Sequence, residues 1–339
     1  MKFNIKIQGE INMRKLITFM VVLFSVTLLA TACSSAGGEE KNKLDKVVLD
    51  YAYYSPTSLA LKEFGWAEEV FEEEGIEVEW VLSQGSNKAL EFLNSKSIDF
   101  GSTAGAAALI AKSNGSPIES VYIYSKPEWT ALVATGDSEI TSVEELKGKK
   151  VAATLGTDPY IFLLRSLQEV GLSSKDLEIV NLQHADGASA LLTDQVDAWA
   201  GLDPHMAKVE VDSGAKLFLR DHDKNTYGTL NVQSDFAEKH PEVVEKVIEV
   251  YEKARKWTIE NPEEAAEILA KEADMDIEVA RKSIERNDFS DPIPGAKQIE
   301  ALTEAGKVLQ SENVIKENVD VEKIVRELII DRHSKKVIE

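Results

Sequence analysis

"ALEFLNSKSIDFGS" (residues 89–102) and "GASALLTDQVDAWA" (187–200) lie 98 positions apart and can be laid on one another. The overlay sets Leu93 on Leu191, Ile98 on Val196 and Asp99 on Asp197. Residue by residue the match is thin, so the order of elements around it carries more weight. Before the first copy come "KVVLDYAYY" (46–54), read as a strand, a Ser-Pro-Thr-Ser turn, a helix, and "IEVEWVL" (76–82). The last of these alternates strictly and is rich in β-branched residues, as a strand should be. The first copy itself reads as the helix "SNKALEFLNSK" and the strand "SIDFGS", followed by the helix "AGAAALIAKSNG" ending on Gly115. The second copy sits in the same order. "KKVAATLG" (149–156), "LEIVNLQ" (177–183) and "VDAWAGL" (196–202) are strands, separated and followed by the helices "DPYIFLLRSLQEVG", "GASALLTDQ" and "DPHMAKVEVDSG". Strands alternating with helices predict parallel sheets covered on both faces. Two such units predict two similar α/β lobes.

The segments outside the repeat complete that picture. "TALVAT" (130–135) and "YGTLNVQ" (227–233) flank the second unit and are read as strands that leave the first lobe and return to it. From residue 234 the chain is almost wholly helical, with Pro241 and Pro262 near helix starts, where a first-turn proline fits. These helices are expected to pack on the first lobe. The expected division is therefore 45–126 plus 228–339 for lobe 1 and 127–227 for lobe 2, joined by two crossing strands. Such a hinge and cleft close on a ligand. With 43% hydrophobic and 29% charged residues the chain is an ordinary globular one, and its net charge of −21 argues against nucleic acid. A small anion is not excluded, because a site can be locally positive in an acidic protein.

The single cysteine, Cys33, lies in "LLATACSSAGG" (28–38). Arg14 and Lys15 precede an apolar run from Leu16 to Leu29, and Ala30, Thr31 and Ala32 form a small-residue processing site. That run is short of the roughly 20 residues a spanning helix needs. Leu29 to Cys33 resembles a bacterial lipobox, which implies a signal peptide over 1–32, a lipidated Cys33 and a tether over 33–44. Met13 is read as a better start than Met1, because "MRKLITFMVVLF" is already a complete signal of this kind.

Ligands of open α/β sheets sit beyond the carboxyl ends of the strands, where loops lead into helix N-termini. Four junctions of this kind are Ser55-Pro56-Thr57-Ser58, Ser102-Thr103-Ala104-Gly105, Gly156-Thr157-Asp158-Pro159 and Gly201-Leu202-Asp203-Pro204-His205. Thr103, Thr157 or Asp158, and Asp203 are N-cap candidates, and free N–H groups there suit an anion. The hydroxyls of Thr57, Ser58, Ser102, Thr103 and Thr157 are candidates to complete the shell, and His205 to donate to it. Each junction also has a plainer reading as a capped turn. Trp129, at the expected hinge, is assigned to the cleft wall, with Tyr53 and Tyr54 as further aromatic residues; Trp199 is assigned to the core, and Trp66, Trp80 and Trp257 to packing. The sequence has no Gly-rich phosphate loop, His-Glu-x-x-His motif or Gly-x-Ser-x-Gly turn. No catalytic residues, metal or cofactor are expected, and an enzyme on this fold is the remote alternative.

"GWAEEVFEEEGIEVEWVLSQGSNKALEFLNSKSIDFGSTAGAAALIAKSNGSPI", "SVEELKGKKVAATLGTDPYIFLLRSLQEVGL" and "DGASALLTDQVDAWAGLDPHMAKVE" resemble substrate-binding proteins of the nitrate, sulfonate and taurine ABC-importer class. That class shares its domain with binders of thiamine pyrimidine precursors. The resemblance, over roughly residues 45–260, implies a type II periplasmic-binding-protein fold and an extracytoplasmic receptor that delivers solute to a membrane permease; a monomer is expected. It is nearest to the aliphatic-sulfonate branch; nitrate, taurine or a pyrimidine precursor are the alternative ligands. It places Ser102, Thr103 and Gly105, then Gly156, Thr157 and Asp158, then Asp203 and His205, at the ligand. Pro127-Glu128-Trp129 departs from the small turn usual before the crossing strand. Asp158 and Asp203 would repel a sulfonate unless turned away as caps or paired with a cation. With Cys33 holding the receptor to the bilayer, a Gram-positive cell surface is the expected location.

Overall fold

Strand β1 (Lys46–Tyr51) buries Val47, Val48, Leu49 and Asp50 in succession, the pattern of a strand with neighbours on both edges and cover on both faces. It opens the computed structural model, which describes residues 44–339; the expected signal peptide, Cys33 and all but the last residue of the expected tether lie outside the described residues. Then follow α1 (Pro56–Glu63), α2 (Trp66–Glu72), β2 (Glu77–Leu82), α3 (Ser86–Asn94), β3 (Phe100–Ala104), α4 (Gly105–Ser113) and β4 (Ile118–Pro127). The chain next builds β5 (Thr130–Ala134), β6 (Lys150–Ala153), α5 (Asp158–Glu169), β7 (Glu178–Asn181), α6 (His184–Leu192), β8 (Ala198–Leu202), α7 (His205–Ser213) and β9 (Lys216–Arg220). It returns through β10 (Gly228–Gln233), α8 (Ser234–Lys239), α9 (Pro241–Glu260), α10 (Pro262–Glu272), α11 (Ile277–Glu285), β11 (Asn287–Asp288), α12 (Ala296–Ser311), α13 (Val321–Leu328) and α14 (Arg332–Ile338).

Two sheets result, with strand orders β11-β4-β10-β3-β1-β2 and β7-β6-β8-β5-β9. In the first, β1 runs parallel to β2 and β3, and β10 runs antiparallel to both β3 and β4. In the second, β6 runs parallel to β7 and β8, and β5 runs antiparallel to both β8 and β9. The lobes thus share one plan, and in each the antiparallel strand is the one that has just crossed from the other. The repeat register holds at the atomic level. Asp99 N–H donates to the Val48 carbonyl (2.8 Å) and Asp99 Oδ2 accepts from Val48 N–H (2.8 Å). Asp197 makes the same two bonds to Lys150, at 2.8 and 2.7 Å. Leu93 and Leu191 are both fully buried, with Ile98 and Val196 behind them.

Two parts of the sequence reading need correction. "TALVAT" and "YGTLNVQ" are strands, but each lies inside the sheet it enters; the crossings themselves are the short segments Glu128–Trp129 and Asp221–Tyr227. Between Pro117 and the first crossing, β4 is a ten-residue strand that the repeat did not supply, though "IESVYIY" has the aromatic and β-branched content of one. Nor do all the later helices pack on the first lobe alone. α9 and α10 cover α1, and α13 covers α4, but α11 also meets α7 and α12 also meets α5 of the second lobe.

Candidate functional site

The carboxyl ends of β1, β2, β7 and β8 face one another across the lobes and enclose a cavity of about 290 Å³. Tyr53 and Tyr54 follow β1, Ser83 and Gln84 follow β2, Gln183 to Asp186 follow β7, and Leu202 to His205 follow β8. Each of these turns runs into a helix, so the first turns of α1, α3, α6 and α7 border the cavity with N–H groups that have no partner inside their own helices. Among the described residues no Lys or Arg side chain lines it; Asp186 and Asp203 do. At Gly85 the lobes touch. A Cβ there would stand 3.0 Å from His184 Nε2 of the second lobe, and φ of +150° is a conformation that side chains other than glycine rarely adopt.

His184 is buried, and that burial, with a smaller push from His205, drives its pKa down to about 3, so the ring is neutral. Thr154 donates its hydroxyl proton to the Leu182 carbonyl (2.6 Å), so its oxygen accepts from His184 Nδ1 (3.2 Å), which leaves Nε2 without a proton. His205, in the first turn of α7, is also held below its ordinary value by burial and then by Lys208. Both imidazoles therefore meet a ligand as neutral groups. Tyr54 donates to the Ser102 carbonyl (2.9 Å) and presents its ring to the cavity. Trp129 stands edge-on behind it, with ring centroids 5.7 Å apart.

The residues singled out in the sequence divide between the cavity and its supports. Asp203 and His205 line the cavity. Trp129 does not: it is 2% exposed, and its Nε1 donates to Asp158 Oδ2 (2.8 Å). Asp158 also accepts from the Thr226 amide (2.9 Å) and hydroxyl (2.7 Å), so one carboxylate ties together the two crossing segments. Burial raises its pKa, against these bonds. Thr103 is no cap, because β3 runs on to Ala104; its hydroxyl instead joins a buried network with Thr229 and Asn231. Ser58 bonds its own turn, donating to the Ser55 carbonyl (2.8 Å), and Thr157 donates to the Thr154 carbonyl (2.6 Å). Gly105 gives its N–H to Tyr227 and leaves room for Leu302; Gly156 turns the chain at φ +74° ahead of α5. Thr57 and Ser102 are buried, with hydroxyl oxygens that have no partner among the described residues. Asp203 does act on α7, accepting from Ala207 N–H (2.9 Å), and it is paired with Arg286, whose Nη1 lies 3.0 and 3.1 Å from its two oxygens. Burial nonetheless pushes Asp203 up to about 6, Arg286 opposing.

Ser83, Gln84, Gln183, His184, Ala185 and Asp186 were not anticipated. Both of their strands were read correctly, so the rule that pointed to the turns after β1 and β8 also covered those after β2 and β7. The hydroxyl-rich junctions serve turns and buried networks instead.

Residues 64–265, more than half of the chain, match the protein family described as NMT1/THI5 like. The chain belongs to the NMT1/THI5-like family. Within reach of this family, it is 28% identical over 317 residues to a protein of Bacillus subtilis (strain 168) named for aliphatic sulfonate binding, covering 92% of this chain and 96% of that one. The alkanesulfonate-binding protein SsuA from Xanthomonas axonopodis pv. citri, solved bound to MOPS, superposes with a TM-score of 0.77 at 22% identity, covering 83% of this chain and 98% of its own. The desulfurization enzyme DSZB superposes with a TM-score of 0.64 at 14% identity, over 87% of this chain and 99% of its own. These two likenesses establish the shared two-lobed fold of the NMT1/THI5-like chain.

Proposed function

We propose that this NMT1/THI5-like protein is the extracytoplasmic solute receptor of an ABC importer, closing lobes of 45–126 plus 228–339 and 127–227 on a small alkanesulfonate. The observation that carries the reading is the interlobe cavity, bordered by four helix N-termini and two neutral histidines, with one of its two carboxylates already paired. Such a site holds an anion by N–H groups and side-chain dipoles, without a lysine or arginine in contact. Tyr53, Tyr54 and Leu202 supply apolar wall for an alkyl tail. The relative named for aliphatic sulfonate binding supports the same ligand class. A receptor rather than an enzyme is favoured because residues 44–339 contain no cysteine, and Thr154, the hydroxyl 3.2 Å from His184 Nδ1, gives its proton to the Leu182 carbonyl and not to the ring. Lipidation at Cys33 would keep the receptor at the membrane, beside its permease.

Calorimetric titration of the purified protein with ethanesulfonate, taurine, nitrate and a thiamine pyrimidine precursor tests this. The expected result is one-to-one binding of ethanesulfonate without product, and stabilisation by about 2.7 kcal/mol at a hundredfold excess over Kd. Binding of the pyrimidine alone would move the weight of the site to Tyr53 and Tyr54, and turnover of any probe would replace the receptor reading with an enzyme. In cells, Cys33→Ala should abolish incorporation of labelled palmitate; undiminished labelling would remove the anchor from the proposal.

A further inference from the structure

The cavity wall holds a carboxylate that an anionic ligand should not tolerate, and the residue that makes it tolerable comes from the other lobe. Arg286 follows α11, whose Ala280 and Ile284 are buried in a first-lobe cluster with Leu59 and Leu269. It precedes β11, which pairs with β4. From there its guanidinium reaches across to the second lobe, to both oxygens of Asp203 and to Glu210, which Lys282 also contacts (3.0 Å). The backbone locks the same place. The Arg286 carbonyl accepts from Glu128 N–H (2.7 Å), and Asp203 N–H donates to the Trp129 carbonyl (2.9 Å), so the two ends of the ion pair grip adjacent residues of the first crossing.

We infer that Arg286 sets the charge selectivity of the cavity: by neutralising Asp203 from across the lobe boundary, it makes the wall acceptable to an anion. The inference rests on the sulfonate reading of the site. Arg286 is 8% exposed and Asp203 2%, so water does little to screen either charge. Asp203, Glu210, Arg286 and Lys282 together sum to zero, which leaves Asp186 as the net charge of the lining. Among the described residues, Asp203 is the one cavity-lining group bonded to an arginine or lysine side chain. Without Arg286 nothing would oppose the upward push of burial, so Asp203 would take up a proton near neutral pH and face the ligand as a second carboxylate only in more alkaline solution. Arg286 is thus a positioning residue, acting through Asp203 rather than by contact.

The test is a charge-rescue cycle on the full chain, titrating ethanesulfonate and its neutral isostere ethanesulfonamide. Titrated at about pH 9, to favour an ionised Asp203 in the variant, Arg286→Met should weaken ethanesulfonate by about tenfold or more while changing ethanesulfonamide by less than about threefold. Adding Asp203→Asn to Arg286→Met should return ethanesulfonate to within about threefold of wild type, since the charge left behind is gone. Arg286→Lys keeps the charge and should stay within about threefold of wild type; with the double variant it carries the test if Arg286→Met does not fold. Equal loss for both probes, or no rescue by Asp203→Asn, assigns Arg286 a purely structural role and overturns the inference alone. Failure of wild type to bind ethanesulfonate overturns the sulfonate reading and this inference with it.

Discussion

The two lobes are built on one frame and differ where it matters for the ligand. Asp99 and Asp197 do the same work, fastening β1 and β6, the strands that lie between two parallel neighbours, and all five strands of the second sheet have a counterpart in the first, which adds β11. With Val48 equivalent to Lys150, Asp50 falls on Ala152. The first lobe buries a carboxylate there, held by Ser102 N–H (2.8 Å), with the Ser83 and Ser102 hydroxyls also opposing the upward push of burial. The second lobe buries an alanine in a cluster with Trp199. At the next helix start the asymmetry reverses. α1 begins Pro56-Thr57 with a hydroxyl that has no partner among the described residues, whereas α5 begins with Asp158, which pins both crossings. Matching positions therefore report the scaffold, and unmatched polar positions report what each lobe does for hinge and cavity.

That comparison can be broken at three points. The largest effect is expected from Asp158→Ala, which leaves the Trp129 indole and Thr226 amide unpaired; urea unfolding should register a loss of about 4 kcal/mol. A loss below about 1 kcal/mol would mean that the crossings are held by packing and not by this carboxylate. Next comes Asp50→Asn, which should stabilise. Burial raises Asp50 from 3.8 to about 6, so its favourable contribution is complete below about pH 4 and is lost as pH rises through 6. The variant should gain about 3 kcal/mol over wild type at pH 7.5, and the two should converge below about pH 4. A constant difference across that range would show that Asp50 titrates in the folded state as it does in the unfolded chain. The smallest effects belong to the matched pair. Asp99→Ala should cost about 2 kcal/mol and Asp197→Ala less, because Asp197 is exposed and water can replace its bond. The reverse order would show that the second lobe depends more heavily on its strand-end tie.

Much of the frame was legible from the chain, because a buried parallel strand and its covering helix have periods of their own, and the repeat wrote them twice. β4 and β9 escaped because they fall outside the repeated core, at the ends where each lobe hands the chain on. The site was legible as a location and not as a residue list. Strand carboxyl ends mark where helix N–H groups gather, which is topology; whether a serine or threonine hydroxyl is free depends on its nearest carbonyl. Ser58, Thr103 and Thr157 each found one nearby. Trp129 shows the same limit, since sequence placed it at the hinge but could not say that its N–H would face Asp158.

The position of β10 has a consequence for how the molecule comes together. The second sheet is assembled from the contiguous stretch between Thr130 and Arg220. The first cannot be, because β10 wedges between β3 and β4, which were made more than a hundred residues earlier. On a chain emerging N-terminus first, β3 and β4 present bare edges until Gln233 has appeared, and closing that gap needs contacts of long sequence separation. The lobe that leads in the sequence is the last to be finished.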